Sequence, residues 1–362
     1  MLTRRQALCL PFAAFALQSG GARGQQAVPI TDMHTHYGLI ERTLDTSGLA
    51  DQMRAQRVAF IAWKAIPDAR WLRATPSGVQ PAGVPEPGAL KAALTRQFDA
   101  IRSYIAAHKL VTLLTRSDVE RCLTGEPGIL LSSEGADFLE GDITRLIPAF
   151  EAGLRLLQLV HYIPTPVGDR QTAAPTLGGL SSLGKALVQE SNQRGILLDL
   201  AHLTGEAVDQ ALAISTQPMI WSHGWVDKSG GRWNDRFGFL QRRLSLEQAK
   251  KLVDRGGVIG VWGLGLEHPG GALFRSQGSW TVGRRDTEGY AKELLYMADL
   301  VGRDAVAFGT DIEGLGPNWS VTDYAGVRQV IEHLGRLKAP TETIERLAYG
   351  NFARVLKATL PT

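Results

Sequence analysis

The chain carries the stretch PITDMHTHYG at residues 29–38, where a short apolar run ends in two histidines. Alternate residues of a β-strand face the same side, so Asp32, His34 and His36 are predicted to point in one direction. Two imidazoles at this spacing can bind one metal ion at about 2.0–2.1 Å. A His-x-His pair also fits two solvent-facing or hydrogen-bonded histidines, so the rest of the chain must decide between these interpretations.

Seven more apolar runs follow this stretch, and helical patterns separate most of them. The eight predicted strands cover residues 29–37, 58–64, 128–134, 154–161, 196–202, 218–223, 257–263 and 305–311. The predicted helices cover residues 90–109, 142–152, 183–194, 206–214, 246–254, 287–300 and 341–357. Strands that alternate with helices indicate parallel βαβ units, and eight strands predict an α/β fold closed into a (β/α)8 TIM-like barrel. The competing doubly wound sheet usually has a glycine-rich first turn, which this sequence lacks.

Five other residues that can bind metal or transfer protons end predicted strands. They are Glu134 in GILLSSEG, His161 in QLVHY, His202 in GILLDLAH, His223 in PMIWSHG and Asp311 in AVAFGTDIEG. Because the carboxyl ends of barrel strands meet at one rim, these side chains and the first two histidines are predicted to converge. Three long connections, residues 65–89, 224–245 and 264–286, follow strands and are predicted to form walls or lids over this rim.

Each of these residues has an ordinary structural interpretation as well as a functional one. A single histidine at a strand end usually makes a structural hydrogen bond, and an aspartate there often caps a turn. Their joint occurrence on one rim favours metal-assisted hydrolysis. A carboxylate at Glu134 could bridge two ions, as two-metal sites require, and His202 and His223 could hold the second ion. Asp311 is predicted to be an ionised base or a partner of a substrate ammonium. His161 could stabilise an oxyanion or orient substrate, although a core histidine fits equally well.

Several other classes of protein are disfavoured by composition and motifs. The three arginines of residues 1–26 account for the whole excess of 39 basic over 36 acidic residues, so no nucleic-acid-binding patch is predicted. No apolar run reaches the ~18 residues of a transmembrane segment. Only Cys9 and Cys122 are present, which excludes a disulfide framework and a cysteine-based zinc site. Residues 179–185 match the spacing of a phosphate-binding loop, but Ala186 replaces its Ser or Thr. No G-x-S-x-G nucleophile motif occurs.

The N-terminus has the pattern of an export signal. Arg4 and Arg5 precede an apolar stretch at residues 7–17, and small residues at 22–24 suit cleavage by a signal peptidase. The arginine pair resembles a twin-arginine signal, with an ordinary secretory signal or a frayed terminus as alternatives. We therefore expect a signal peptide at residues 1–25, a single barrel domain at residues 26–362, and a periplasmic or secreted protein.

The order of the motifs resembles that of the membrane (renal) dipeptidase family, peptidase family M19, from about residue 30 to the end of the chain. The matching segments are Asp32-Met33-His34-Thr35-His36, Glu134-Gly135, Leu159-Val160-His161, Asp199-Leu200-Ala201-His202, Ser222-His223, Arg242-Arg243, Gly309-Thr310-Asp311 and Gly350-Asn351-Phe352-Ala353-Arg354-Val355. The resemblance implies a barrel with two zinc ions. It implies that His34, position 36 and Glu134 hold one ion, that Glu134, His202 and His223 hold the other, and that His161, Arg242 and Asp311 contact substrate.

The sequence departs from the family pattern at three of these positions. His36 replaces an aspartate, Ala201 a serine and Arg243 an asparagine. A neutral imidazole at position 36 makes the first site more electropositive and more suited to zinc. The leading expectation is a zinc-dependent dipeptidase that uses Asp311, His161 and Glu134 in catalysis. The alternatives are a related hydrolase of a lactone, ester or non-peptide amide, and a metal-dependent binding protein that has lost catalysis. A homodimer is left open.

Overall fold

The structure is a computed structural model. It describes residues 27–39, 48–75, 78–227, 242–263, 274–276, 279–281, 286–314 and 320–362. Eight parallel strands form its centre, and we label them β1 to β8 in chain order. Their bounds are Ile30–Thr35, Val58–Ala65, Gly128–Ser133, Leu156–Gln158, Leu197–Asp199, Ile220–Trp221, Val258–Val261 and Val306–Phe308. All eight predicted strands are therefore confirmed.

The strands follow one another around the sheet in sequence order, and every adjacent pair is parallel. Backbone hydrogen bonds close the ring between β1 and the segment after β8. The Asp311 N–H donates to the His34 carbonyl at 2.8 Å, and the His36 N–H donates to the Ile312 carbonyl at 3.1 Å. The predicted barrel is thus confirmed as a nearly closed ring. The short strand Val111–Thr112 pairs with β3 beside it.

Eleven α-helices lie within the described residues. Their bounds, α1 to α11, are Leu49–Ala55, Ala89–His108, Arg116–Thr124, Leu146–Glu151, Ser182–Arg194, Gly205–Ile214, Leu246–Asp254, Thr287–Val301, Tyr324–Arg336, Thr341–Glu345 and Asn351–Thr359. Side chains that accept a hydrogen bond from the first turn begin six of them, namely Thr115, Ser181, Thr204, Ser245, Asp286 and Asp323. No described helix combines the length and apolarity needed to cross a bilayer.

The predicted helices differ from the structure in several places. Helices α1, α3 and α9 were not expected, and the expected helix at 341–357 is divided by a π-helical turn at Arg346–Gly350. The expected helix at 142–152 starts with the 3₁₀ turn Ile143–Arg145. Helix α1, with seven residues, gives only a weak periodic signal. Helix α9, with 13 residues, has a clear amphipathic pattern that the prediction overlooked.

The three long connections are only partly described. The first contains an antiparallel pair, Leu72–Thr75 with Gly78–Pro81. In the second, Trp225–Asp227 pairs in parallel with Arg243–Ser245. Residues 228–241 and most of 264–285 lie outside the described residues, as does the predicted signal at 1–25, so the walls and lids expected there stay predictions.

The apolar core fills the barrel and the space between its strands and helices. Ile61, Leu131, Leu157, Leu198 and Ile259 are fully buried members of this core. The carboxyl ends of the strands instead lead into buried polar residues, among them His34, Glu134, His202 and His223. Because buried polar groups need partners, this end of the barrel is where chemistry is expected.

Candidate metal centre

Glu134, directly after β3, lies between two groups of histidines. Its Oε2 is 3.0 Å from His36 Nε2 and 3.5 Å from His34 Nε2. Its Oε1 is 3.2 Å from His202 Nε2 and 3.7 Å from His223 Nε2. Each carboxylate oxygen therefore faces a different pair of imidazoles, which is the arrangement that a bridging carboxylate requires.

The first group also includes Asp311, which follows β8. Asp311 Oδ1 lies 3.2 Å from His36 Nε2 and 3.5 Å from His34 Nε2. His34, His36 and Asp311 have donor atoms close enough together to hold one ion, and so do Glu134, His202 and His223. The sequence placed Asp311 at the substrate, whereas the structure also makes it available to the first ion.

Hydrogen bonds behind the histidines fix how each ring is oriented. His36 Nδ1–H donates to the Lys64 carbonyl oxygen at 3.0 Å. Ser222 Oγ lies 2.9 Å from Nδ1 of both His34 and His223, and its two lone pairs can accept both N–H groups. These contacts direct the Nε2 atoms toward Glu134. Such outer contacts are typical of imidazoles that bind metal.

His202 also fits the role of a metal ligand, because its ring nitrogens lack hydrogen bonds within the described part of the chain. Its side chain is buried, and among the described residues neither ring nitrogen has a hydrogen-bond partner of acceptable geometry. A buried polar atom without a partner is costly unless something else satisfies it. A metal ion at Nε2 would do so, and imidazoles and carboxylates are donors that divalent metals such as zinc take in proteins.

The electrostatics of the centre follow from burial and from the close charges. Burial raises the pKa of Glu134, but His161, His34 and His36 outweigh it and hold that pKa well below its ordinary value. For His36, burial lowers the pKa, yet the carboxylates of Glu134 and Asp311 raise it to about 10. Burial lowers the pKa of His34 to about 4, and it lowers the pKa of His202 well below its ordinary value. Without metal, the carboxylates of Glu134 and Asp311 favour a proton on His36, and a metal ion bound there would displace it.

The side chains predicted to contact substrate surround the two groups. His161 Nε2 is 3.5 Å from Glu134 Oε1, and its Nδ1 is 2.7 Å from the buried carboxylate of Asp68. Asp68 fixes the orientation of the ring, because Nδ1–H donates to it. The Trp262 indole N–H donates to Asp311 Oδ2 at 2.9 Å, which leaves Oδ1 facing the histidines.

Arg242 lies at the second group. Its Nη1 donates to the Tyr162 hydroxyl at 2.9 Å, and its Nη2 donates to His223 Nε2 at 2.6 Å. A metal ion at His223 Nε2 would need the same lone pair, so it would displace this second contact. The Nε of Arg242 is buried and has no hydrogen-bond partner among the described residues. A guanidinium with a free N–H beside a metal site is suited to a carboxylate of the substrate.

The backbone is strained where two of these residues leave their strands. His202 has φ of 71° and Asp311 has φ of 52°, both in the left-handed region that residues with a Cβ seldom adopt. Gly135 has φ of 97°, and a Cβ there would lie 2.2 Å from Asp137 Oδ2 and 3.1 Å from His161 Cβ. Strain of this kind persists where the surrounding structure requires it, often at functional sites.

All eight residues singled out from the sequence meet at this end of the barrel, namely His34, His36, Glu134, His161, His202, His223, Arg242 and Asp311. Asp32 does not join them. It accepts hydrogen bonds from Thr310 and from the Tyr324 hydroxyl instead, and burial raises its pKa to about 6. The sequence did not single out Lys64, Asp68 or Trp262, and it gave Ser222 only as part of the Ser222-His223 segment, because their partners are brought together only by the closed barrel.

Eight parallel strands that present a carboxylate between two imidazole groups define a metal-dependent barrel hydrolase. The family model described as membrane dipeptidase, peptidase family M19, matches residues 49–360. The chain therefore belongs to the membrane dipeptidase family, which confirms the expected resemblance and the expectation of a metallo-dipeptidase enzyme.

Individual relatives are more distant. An uncharacterised protein in the pqqA 5′ region of Klebsiella pneumoniae is 25% identical over 276 residues, which cover 73% of this chain and 95% of that protein. Dipeptidase 3 of Mus musculus is 31% identical over 132 residues, only 35% of this chain and 27% of its own length. A metallopeptidase from Rhodobacter sphaeroides, solved with a phosphinate mimic of L-Ala-D-Ala, has a TM-score of 0.73 at 20% identity, over 92% of this chain and 99% of that one. This last similarity shows the fold.

Proposed function

We propose that the chain is a binuclear zinc dipeptidase that hydrolyses the amide bond of dipeptides or similarly small substrates. The observation that carries the proposal is the division of the two Glu134 oxygens between separate pairs of imidazoles. His34, His36 and Glu134 would hold one ion, and Glu134, His202 and His223 the other, which leaves Asp311 free for proton transfer. The ligand of the Rhodobacter sphaeroides metallopeptidase, a dipeptide mimic, supports the size of the substrate.

A bound zinc pair supplies Lewis-acid polarisation of the scissile carbonyl and activation of water near neutral pH. Asp311 accepts the proton of the attacking water through Oδ1, since Trp262 occupies its other oxygen. It then delivers that proton to the leaving amine nitrogen, so that amide and water become carboxylic acid and amine, which ionise to carboxylate and ammonium. In its doubly protonated form, with Nδ1–H donated to Asp68, His161 donates Nε2–H to the oxyanion that develops on the carbonyl. Arg242 pairs with the substrate carboxylate.

The deciding experiment is a substrate panel with purified protein loaded with zinc. It compares dipeptides with the same dipeptides amidated at the C-terminus, and with a lactone and an ester. We expect hydrolysis of the free dipeptides, and a kcat/KM at least ~10-fold lower for the amidated ones because the Arg242 partner is removed. His202→Ala is the matched inactive variant, since it removes one imidazole from the second group.

Two other results would each replace the proposal. Turnover of the lactone or ester without turnover of any dipeptide would favour the related hydrolase, for which His36 in place of a carboxylate is the motivating feature. Tight binding of dipeptides without turnover of any substrate would favour a binding protein that has lost catalysis.

We also propose export to the periplasm or beyond. The support is the sequence of residues 1–25, where Arg4 and Arg5 precede an apolar stretch. Fractionation of bacterial cells that express the full chain tests it, with Arg4→Lys/Arg5→Lys as the variant. Retention of the parent chain in the cytoplasm would contradict export. Unchanged export of the variant would contradict the twin-arginine route alone.

A further inference from the structure

Lys64, in β2, is a fully buried lysine beneath the two histidine groups. Its ammonium pairs with the carboxylate of Asp199, which is also fully buried at the end of β5. It also lies 3.2 Å from Gln158 Oε1 and 3.5 Å from Ser222 Oγ. Two charges so far from water persist only when they are paired and hydrogen-bonded, so this pair is a specific feature of the barrel.

Asp199 belongs to a third set of donors. Its carboxylate, His34 and His223 lie close enough together to hold a metal ion, although each of these histidines also belongs to one of the groups around Glu134. The ring centroids of His34 and His223 are 3.9 Å apart. Asp199 Oδ1 accepts the Ser222 backbone N–H at 3.0 Å, and the Ser222 hydroxyl contacts both rings. An ion bound at Asp199 would therefore compete for one histidine of each proposed zinc site.

We propose that Lys64 is a positioning residue that keeps Asp199 from binding metal and so reserves His34 and His223 for the ions at Glu134. Its ammonium takes the place at the Asp199 carboxylate that a cation would otherwise occupy. This inference rests on the proposed function, because it presumes metal ions at the groups around Glu134. Among the residues that the structure describes, the barrel contains three overlapping sets of possible metal ligands, and the proposal states which of them bind metal.

The contacts of Lys64 allow the ammonium to be tested separately from the backbone. The Lys64 carbonyl oxygen accepts the His36 Nδ1–H, and this contact does not depend on the side chain. In Lys64→Met the aliphatic volume is largely kept while the charge is lost. The Asp199 carboxylate then faces the two imidazoles without its cation, and a metal ion is the partner that can replace it.

The experiment uses the full chain loaded with Co²⁺, whose electronic spectrum reports its ligands. It compares the parent with Lys64→Met, with Lys64→Met/Asp199→Asn, and with the control Lys251→Met, an exposed lysine paired with Asp209 and Glu247. We expect a changed cobalt spectrum in Lys64→Met and at least ~10-fold weaker binding at the Glu134 groups. Adding Asp199→Asn should return both toward the parent, which loss of packing alone would not do.

The outcomes separate this inference from the proposed function. A parent spectrum in folded Lys64→Met, or a changed spectrum that Asp199→Asn does not reverse, would overturn the role of Lys64. If Lys64→Met folds only with metal, we expect its unfolding temperature to rise more steeply with Co²⁺ concentration than that of the double variant. Equal slopes would refute the role of Lys64. Absence of bound cobalt in both the parent and Lys251→Met would instead refute the proposed function.

Discussion

Replacement of Glu134 by glutamine tests the shared carboxylate directly. The substitution keeps the shape of a side chain that is 3% exposed, but it gives one oxygen and one amide NH₂ in place of two oxygens. An NH₂ group cannot bind a metal ion through a lone pair, so only one histidine group can keep a donor from this position. In the parent protein one carboxylate oxygen of Glu134 is 3.0 Å from His36 Nε2, and the other is 3.2 Å from His202 Nε2.

The two histidine groups differ in the metal donors that remain after the substitution, and this difference sets the expected loss of zinc affinity at each site. Without Glu134 the first group keeps His34 and His36 and has the Asp311 carboxylate close enough to replace the lost oxygen. The second group keeps only His202 and His223. Loss of an outer contact to a ligand lowers metal affinity by about 10–100-fold, so loss of a direct ligand should cost the second site more than ~100-fold, or ~2.8 kcal/mol. We therefore expect Glu134→Gln to hold about one zinc per chain where the parent holds about two.

Equilibrium dialysis against buffered zinc, followed by elemental analysis, measures the number of ions and their affinities. Glu190→Gln is the matched control, because Glu190 pairs with Arg194 at the surface of α5. The thermal unfolding of both variants shows that they are folded. A folded Glu134→Gln that binds two zinc ions with the affinity of the parent would refute the bridging role.

Three further predictions concern the residues around Glu134. Asp311→Asn should keep both metal ions and lose ~10²–10⁴ in kcat, since it cannot accept the proton; steady-state kinetics with a near-normal kcat would contradict that role. Trp262→Phe should lower kcat by ~10–100-fold without changing the zinc count, because a hydrogen bond to a charged group contributes about 1.5–3 kcal/mol. His36, whose pKa is raised to about 10, stabilises the chelator-treated protein below pH 6.5, and this stabilisation is lost as the pH rises through 10. The unfolding temperature should therefore fall from pH 7 to pH 10, and a slope equal to that of His36→Gln would refute the assignment.

The sequence was most informative about the barrel and its rim. Short apolar runs separated by helical patterns predicted all eight strands, because each buried strand must be apolar over most of its length. The residue that ends a run, such as Glu134 or His223, then has a known place, since parallel strands all present their carboxyl ends on the same side. This is why seven residues far apart in the chain could be assigned to one site, whereas Arg242 was assigned from the family resemblance alone.

The supporting residues could not be found in the same way. Asp68 lies in a connection, and its contact with His161 depends on where that connection folds over the rim. Lys64 interrupts an apolar strand, and without the closed barrel nothing relates it to Asp199, which is 135 positions away. The left-handed backbone at His202 and Asp311 has no sequence signal comparable to glycine. The identity and number of the metal ions, the roles of individual residues and export stay predictions.

The strand order explains why a single carboxylate can serve both groups. His34, His36 and Asp311 come from β1 and β8, which are neighbours only because the ring closes between them. His202 and His223 follow β5 and β6, which are neighbours in sequence and in the sheet. Glu134 follows β3, two strands from β1 and two strands from β5, so its side chain reaches between the groups with one oxygen toward each. A carboxylate on β2 or β4 would be nearer to one group than to the other. In an open sheet β1 and β8 would lie at opposite edges, so the same donor residues would not form two sites with a shared ligand.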